Sequence, residues 1–327
     1  MRIAINGFGR IGRTILRQVL SEPARGIEVA RINDIATPEM CAYLFQFDST
    51  FGPYPGTVEA RDGMLIVDGR GMTLSRADNL SQIDLSGVDV VLECTGIART
   101  SDVARRGLAA GARSVLISGP SPAAELTLVR GANDALLGDE RVVSNASCTT
   151  NALAPLVRVL DEIGGVERGH MTTIHCYTNS QPMVDAPRDD FARSRGGAQS
   201  MVPTTSSATH LIDEVLPELE GRLTGSALRV PVASVSAIDL VVQLRDAMSA
   251  DGFDEALREA VTASPVLGWT NQPLVSSDLR ARPESLVVAG PETRFVDGQA
   301  RVFGWYDNEW GFSARMLDVA AMMAARG

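Results

Sequence analysis

The 327-residue chain contains no lysine, and all 30 of its basic residues are arginine. That absence excludes a Schiff-base amine, a lysine general base and the lysine of a Walker-type phosphate loop. Histidine is almost as scarce, with three residues, and cysteine is limited to Cys41, Cys94, Cys148 and Cys176. Their spacing fits neither a paired metal motif nor a disulfide framework, as expected in a reducing compartment. No apolar run approaches the roughly 18 residues of a membrane-spanning helix. The opening MRIAINGFGR reads as a strand rather than the apolar core of a signal peptide. A cytoplasmic protein is expected. The formal net charge of −10 repels nucleic acid and anionic membrane surfaces, so neither is expected as a partner.

At about 150 residues per domain, the length suggests two domains. Residues 2–6 read as a buried strand, followed by GFGRIG and an apolar stripe at helical spacing up to Pro23. A second strand runs to Asn33 and Asp34. Further strands are expected at 88–96, 114–120 and 141–145, with a helix over 102–111 and a less regular stretch before them. Strands alternating with helices predict a doubly wound parallel sheet. From about residue 170 the runs lengthen, become rich in β-branched residues and partly alternate, which predicts a mainly antiparallel sheet with helices on one face. Asp297-Gly298 between two such runs signals a hairpin. Residues 312–325 read as a helix, and 181–207 as a long polar segment of the kind that is functional or disordered. The fold class expected is thus an α/β Rossmann domain joined to an α+β domain.

Gly7, Gly9 and Gly12 satisfy G-x-G-x-x-G between a strand and a helix, and Asp34 ends the next strand at the expected distance. The glycines allow a tight turn and close backbone approach to a pyrophosphate at the helix N-terminus. Asp34 would accept from the adenosine ribose and repel a 2′-phosphate, favouring NAD over NADP. The alternative is a tight βα turn with Asp34 capping a loop.

SNASCTTN, residues 144–151, surrounds Cys148 with polar neighbours at a strand-to-helix turn. Unpaired amides and the helix dipole there favour a thiolate, the reactive form of cysteine; the alternative is a core cysteine lining a turn. His170 and His175 lie five apart on one strand and so face opposite sides, which argues against a shared metal. His175 leads into the polar segment and is the candidate base; His210 is expected at the surface.

NGFGRIGR (6–13), Asn33-Asp34, ECTG (93–96), SNASCTTN, IHCYTN (174–179), LRVPVASVSAIDL (228–240), LVSSD (274–278) and WYDNEWGFSARMLD (305–318) together resemble the phosphorylating glyceraldehyde-3-phosphate dehydrogenase family over nearly the whole chain. The resemblance implies Cys148 as nucleophile and His175 as activating base. It implies Arg10, Ile11, Asp34, Arg76, Ser118 and Asn308 around NAD, with Asn308 holding the nicotinamide amide. Ser147, Thr149, Thr178, Ser206, Ser207 and Arg229 would hold phosphate groups, with Arg195 contributing. It implies an NAD-binding domain over 1–147, a catalytic domain over 148–309, and a C-terminal helix, 310–327, packed back onto the first. The implied reaction oxidises glyceraldehyde 3-phosphate through a thioester that inorganic phosphate cleaves, in a homotetramer.

The chain departs from the family pattern where Ser206-Ser207 replaces Thr-Gly, where Ala152 replaces a second cysteine, and at Pro182 and His210. A side chain at position 207 alters how closely the backbone approaches an anion. Ala152 removes a resolving thiol beside Cys148. Other readings are an enzyme for another aldehyde such as erythrose 4-phosphate, one resolving the thioester with water, and a binding protein that kept the fold.

Overall fold

In the computed structural model, residues 1–206 and 208–326 are described. The chain divides into two compact units. One comprises Met1–Leu128, Ala135–Ala146 and the residues from Ser313 onward; the other comprises Val129–Asp134 and Ser147–Phe312.

The first unit is built on a nine-stranded sheet. In spatial order its strands are Val58–Arg61, Met64–Val67, Arg70–Ser75, Glu28–Asn33, Arg2–Asn6, Val90–Glu93, Ser114–Ile117, Val142–Ser144 and Leu126–Thr127. Pairing is parallel from Arg70–Ser75 to the last strand, and antiparallel only among the first three. The central strands are apolar runs such as VVLE and SVLI, buried throughout, as a sheet covered on both faces requires. Strand order reverses beside Arg2–Asn6, so its C-terminal end and that of Val90–Glu93 border the crevice where such sheets bind ligands.

Three differences from the sequence reading have local causes. The less regular stretch before residue 88 holds a helix, Pro38–Gln46, capped by Thr37 and started by a proline. Its outward Met40 and Tyr43 are 49% and 58% exposed, which blurs the apolar stripe. Three short strands follow, turned by Asp62-Gly63 and Asp68-Gly69, all at positive φ. The helix expected over 102–111 is two single turns, Ser101–Ala104 and Arg106–Ala109.

The second unit carries an eight-stranded sheet. Its order is Val202–Thr204, Leu223–Val230, Val166–Cys176, Ser236–Leu244, Gln299–Tyr306, Leu286–Ala289 and Leu267–Thr270, with Arg294–Val296 also on Gln299–Tyr306. Five of its seven pairings are antiparallel. Asp297 and Gly298 both have positive φ, as a two-residue hairpin turn demands. Helix Cys148–Gly164, most of whose residues are buried, packs against Val166–Cys176, Ser236–Leu244 and Leu286–Ala289. The described residues of the polar segment, 181–206, contain one 3₁₀ turn, Ala192–Ser194, and the strand Val202–Thr204. Among the described residues no helix is long and apolar enough to cross a membrane.

Candidate active site

In the first unit, the chain leaves strand Arg2–Asn6 through Gly7 at φ 90°. A Cβ on Gly7 would lie 2.8 Å from the Cys94 carbonyl carbon, and one on Gly12 would lie 2.2 Å from the Gly7 oxygen. Both glycines are therefore demanded by packing. Gly9 is different, because a Cβ there meets nothing within 4 Å. It faces a cavity of about 370 Å³ that Asn6, Gly7, Asn33, Asp34, Glu93 and Thr95 also line. Gly9 caps helix Arg10–Ser21 without a side chain, so no side-chain cap competes for the first-turn amides.

Asp34 is held by two backbone amides, Phe8 N to Oδ2 at 2.6 Å and Ala36 N to Oδ1 at 2.8 Å. Beneath the cavity runs a polar chain of buried Asn33, Asn6 and Glu93 that ends at the exposed Thr95. Asn33 Nδ2 donates to Asn6 Oδ1 at 2.8 Å, Asn6 Nδ2 donates to Glu93 Oε2 at 2.5 Å, and the Thr95 hydroxyl donates to Glu93. A glycine turn open to the cavity, a helix start with no side-chain cap and a fixed carboxylate at the next strand end fit a dinucleotide. Arg10 pairs with Asp48 at 2.5 Å, Ile11 and Gly12 continue the first helical turn, Arg76 donates to Ile35 O at 3.1 Å, and Ser118 follows strand Ser114–Ile117.

The chain enters the second unit's helix Cys148–Gly164 by way of Ala146, the last residue of the first unit's segment and a non-glycine at φ 54°. Ser147 then caps the helix, its hydroxyl accepting from Thr150 N at 3.0 Å, a contact of a kind that contributes about 1 kcal/mol. Cys148 is the first helical residue, and its Sγ lies 3.6 Å from His175 Nε2.

His175 arrives from the adjacent sheet. Strand Val166–Cys176 alternates so that Met171, Thr173 and His175 are buried while His170 is exposed, separating the two histidines by face. The parallel strand Leu223–Val230 is in register with Thr173 opposite Ala227 and His175 opposite Arg229. These four, with Ser147, Cys148, Thr149, Arg193, Thr205 and Ser206, line a second cavity of about 370 Å³.

Burial dominates the electrostatics. It pushes the Cys148 thiol up, against the opposing pull of the Arg229 charge and of hydrogen bonds from Thr149. The thiolate expected from helix position alone is therefore not the favoured form of this buried sulfur. Burial, then the Arg229 charge, pushes His175 down to about 4, so it is neutral at pH 7. A neutral thiol therefore faces a neutral imidazole, and both shifts oppose charge separation between them.

The cavity gathers Cys148, His175, Ser147, Thr149, Ser206 and Arg229 from the residues singled out in the sequence. Thr178 lies outside its lining, in a loop hydroxyl pair with Ser180 at 3.0 Å. Arg195 turns instead to Asp185 at 2.7 Å, an exposed ion pair. Its place in the cavity is taken by Arg193, whose Nη2 donates to Thr205 O at 3.4 Å. Ser207 lies outside the described residues. Asn308 is buried, its Oδ1 accepting from the Cys176 thiol at 3.1 Å and the Ser236 hydroxyl at 3.4 Å. Sequence reasoning missed Arg193, Thr173, Thr205 and Tyr306. The Tyr306 hydroxyl joins Thr149 Oγ1 at 3.0 Å to Thr173 Oγ1 at 2.9 Å. No group of three His, Cys, Asp or Glu among the described residues is placed to hold a metal ion.

A Rossmann-type sheet with a dinucleotide cradle, joined to a unit that carries a cysteine–histidine pair, defines an NAD-binding oxidoreductase. Two family models match the chain. One, described as the NAD binding domain of glyceraldehyde 3-phosphate dehydrogenase, covers residues 1–101, and the C-terminal domain of the same enzyme covers 147–308. The chain is 46% identical to glyceraldehyde-3-phosphate dehydrogenase of Pseudomonas aeruginosa, over 99% of this chain and 98% of that one. It is 45% identical to the protein of that name from Xanthobacter flavus, over 100% and 99%. It is 41% identical to glyceraldehyde-3-phosphate dehydrogenase 2 of Bacillus subtilis, over 100% and 97%. The chain belongs to the glyceraldehyde-3-phosphate dehydrogenase family.

Proposed function

We propose that the chain catalyses the NAD-dependent oxidative phosphorylation of glyceraldehyde 3-phosphate to 1,3-bisphosphoglycerate, with Cys148 as nucleophile and His175 as base. The observation that carries this reading is the 3.6 Å Cys148–His175 contact inside a cavity furnished with Arg193, Arg229 and five hydroxyl side chains. A catalytic thiol needs a neighbouring base. An anionic aldehyde needs arginines and hydroxyls, since the protein has no lysine and a net charge of −10.

His175 Nδ1 lies 2.7 Å from Cys176 O. With its proton on Nδ1, the imidazole donates to that carbonyl and leaves the Nε2 lone pair to take the Cys148 proton. The sulfur then forms a bond to the aldehyde carbon, and the resulting oxyanion is protonated by Nε2 or held by backbone amides at the helix start. Nε2 next removes the hydroxyl proton of the thiohemiacetal as hydride departs. NAD, when bound, supplies the hydride acceptor. The thioester carbon is attacked by inorganic phosphate, releasing acyl phosphate and restoring the Cys148 sulfur anion. Arg229, Ser147, Thr149 and Ser206 would hold the phosphate groups, with Arg193 in the part first expected of Arg195.

Asn308 has its carbonyl oxygen occupied by Cys176 and Ser236, which supports its amide NH₂ as donor to the nicotinamide carboxamide. Gly7, Gly9, Gly12 and Asp34 would bind the rest of NAD. The domain limits 1–147 and 148–309, a cytoplasmic location and a homotetramer are part of the same reading. NADH formation measured with and without phosphate, across glyceraldehyde 3-phosphate, erythrose 4-phosphate and unphosphorylated aldehydes, tests it. Strict dependence on phosphate with glyceraldehyde 3-phosphate is expected; equal turnover without phosphate overturns the acyl-phosphate step.

A further inference from the structure

The imidazole of His175 is approached on one nitrogen by two groups with opposite demands. Nδ1 lies 2.7 Å from Cys176 O, which can only accept, and 2.7 Å from Arg229 Nη1, which can only donate. Arg229 Nη1 is also 3.0 Å from Cys176 O. A neutral imidazole satisfies one of these at a time. If Nδ1 carries the proton it donates to Cys176 O, and the guanidinium hydrogen at Nδ1 has no lone pair to meet. If Nδ1 carries the lone pair, Arg229 donates to it, and the proton must sit on Nε2, facing Cys148.

We infer that Arg229 is a positioning residue that holds His175 in the wrong tautomer until an anion engages the guanidinium, so that binding of the phosphate group switches on the base. This rests on the catalytic reading of Cys148 and His175. In the Arg229-bound tautomer, a thiol S–H faces an N–H and has no acceptor for its proton. When a phosphate oxygen draws the guanidinium away, the Nε2 proton leaves to solvent and one from solvent appears on Nδ1, now directed at Cys176 O. Net charge is unchanged by that exchange. Nε2 can then accept from Cys148, giving a thiolate beside an imidazolium.

The cross-strand register fixes Arg229 next to His175, while the same side chain lines the cavity together with Ser147, Thr149, Arg193 and Ser206. The other groups facing the ring are the Cys148 sulfur, the Cys176 carbonyl and Tyr306, whose ring stands edge-on at 6.0 Å. None of these competes as a donor for Nδ1. The charge of Arg229 also opposes formation of an imidazolium, so neutralising it acts in the same direction as releasing Nδ1.

The test needs neither NAD nor aldehyde, which separates its failure from failure of the proposed reaction. Nitrogen NMR of protein carrying isotopically labelled histidine reports which ring nitrogen is protonated, with His175 assigned by the signal lost in His175→Asn. Without anion, Nδ1 should carry the unprotonated signature; titration with inorganic phosphate should move it to the protonated one. Iodoacetamide alkylation of Cys148 should accelerate severalfold over the same titration. Arg229→Ala should show the Nδ1-protonated signature with no phosphate present, a result that loss of packing alone would not produce. An Nδ1-protonated imidazole in the wild-type protein without anion overturns the inference. So does a tautomer that stays fixed while alkylation accelerates, which would assign the effect to charge alone.

Discussion

The hydroxyl of Tyr306 stands 3.0 Å from that of Thr149 and 2.9 Å from that of Thr173, and all three side chains are buried. One phenol has one proton, so it donates to one threonine and accepts from the other. If Thr173 donates to Tyr306 and Tyr306 to Thr149, the Thr149 proton is left to point into the cavity. Tyr306→Phe leaves two buried hydroxyls short of a partner, which costs about 1–3 kcal/mol. A lower denaturant midpoint is expected, together with a raised KM for the phosphorylated aldehyde at little change in kcat. Wild-type values for both would remove this role.

His175 gives stability a pH dependence whose sign is fixed by its depressed value. Folded, it titrates near 4; its unperturbed value is 6.5. Between the two the unfolded chain takes up a proton that the folded chain does not, so stability falls as pH drops through that window and is fully present above it. The span corresponds to roughly 3 kcal/mol. Urea unfolding of wild type and His175→Asn at pH 7 and 4.5 should show a larger acid loss in the wild type. Parallel losses would place the histidine in a less restrictive environment.

Much of this architecture was legible because its signals are local. The Gly7–Gly12 turn, Asp34 at the second strand end, the Ser147–Cys148 helix start and the Asp297-Gly298 hairpin each lie within a short window of sequence. The same hairpin pair at Asp62-Gly63 and Asp68-Gly69 is hard to read in the sequence because its flanking strands are only four to six residues long, and the outer two each expose half of their residues. The neighbours in the reactive cavity were harder. Arg229 reaches His175 through a parallel register 54 residues apart, and Tyr306 reaches Thr149 across 157. No linear pattern carries such distances. The choice between Arg193 and Arg195 depends on a single 3₁₀ turn, Ala192–Ser194, inside a segment without periodicity.

Gly9 and Gly12 of the nucleotide turn should separate by experiment. Gly12→Ala drives a Cβ into the Gly7 carbonyl at 2.2 Å, against backbone that cannot give way, so the first unit should melt at a lower temperature. Gly9→Ala meets only open space and should leave the melting temperature unchanged. Its methyl would instead stand at the cavity where the pyrophosphate approaches, so NAD affinity, read by fluorescence titration, should fall. Unchanged affinity in Gly9→Ala would mean that the dinucleotide does not contact this turn.

Asp34 should decide which dinucleotide is accepted. Its two oxygens are fixed by the amides of Phe8 and Ala36, so the carboxylate cannot swing aside to admit a second negative charge. A 2′-phosphate on the ribose would meet that charge at close range, whereas a ribose hydroxyl finds an acceptor. Asp34→Gly should therefore improve kcat/KM with NADP relative to NAD by roughly five- to thirtyfold, the change that relief of ~1–2 kcal/mol of like-charge repulsion produces. The paired assays also separate cofactor choice from loss of folding, since a merely unfolded variant would lose activity with both cofactors together. Equal use of NAD and NADP by the unaltered protein would leave Asp34 no part in the selection.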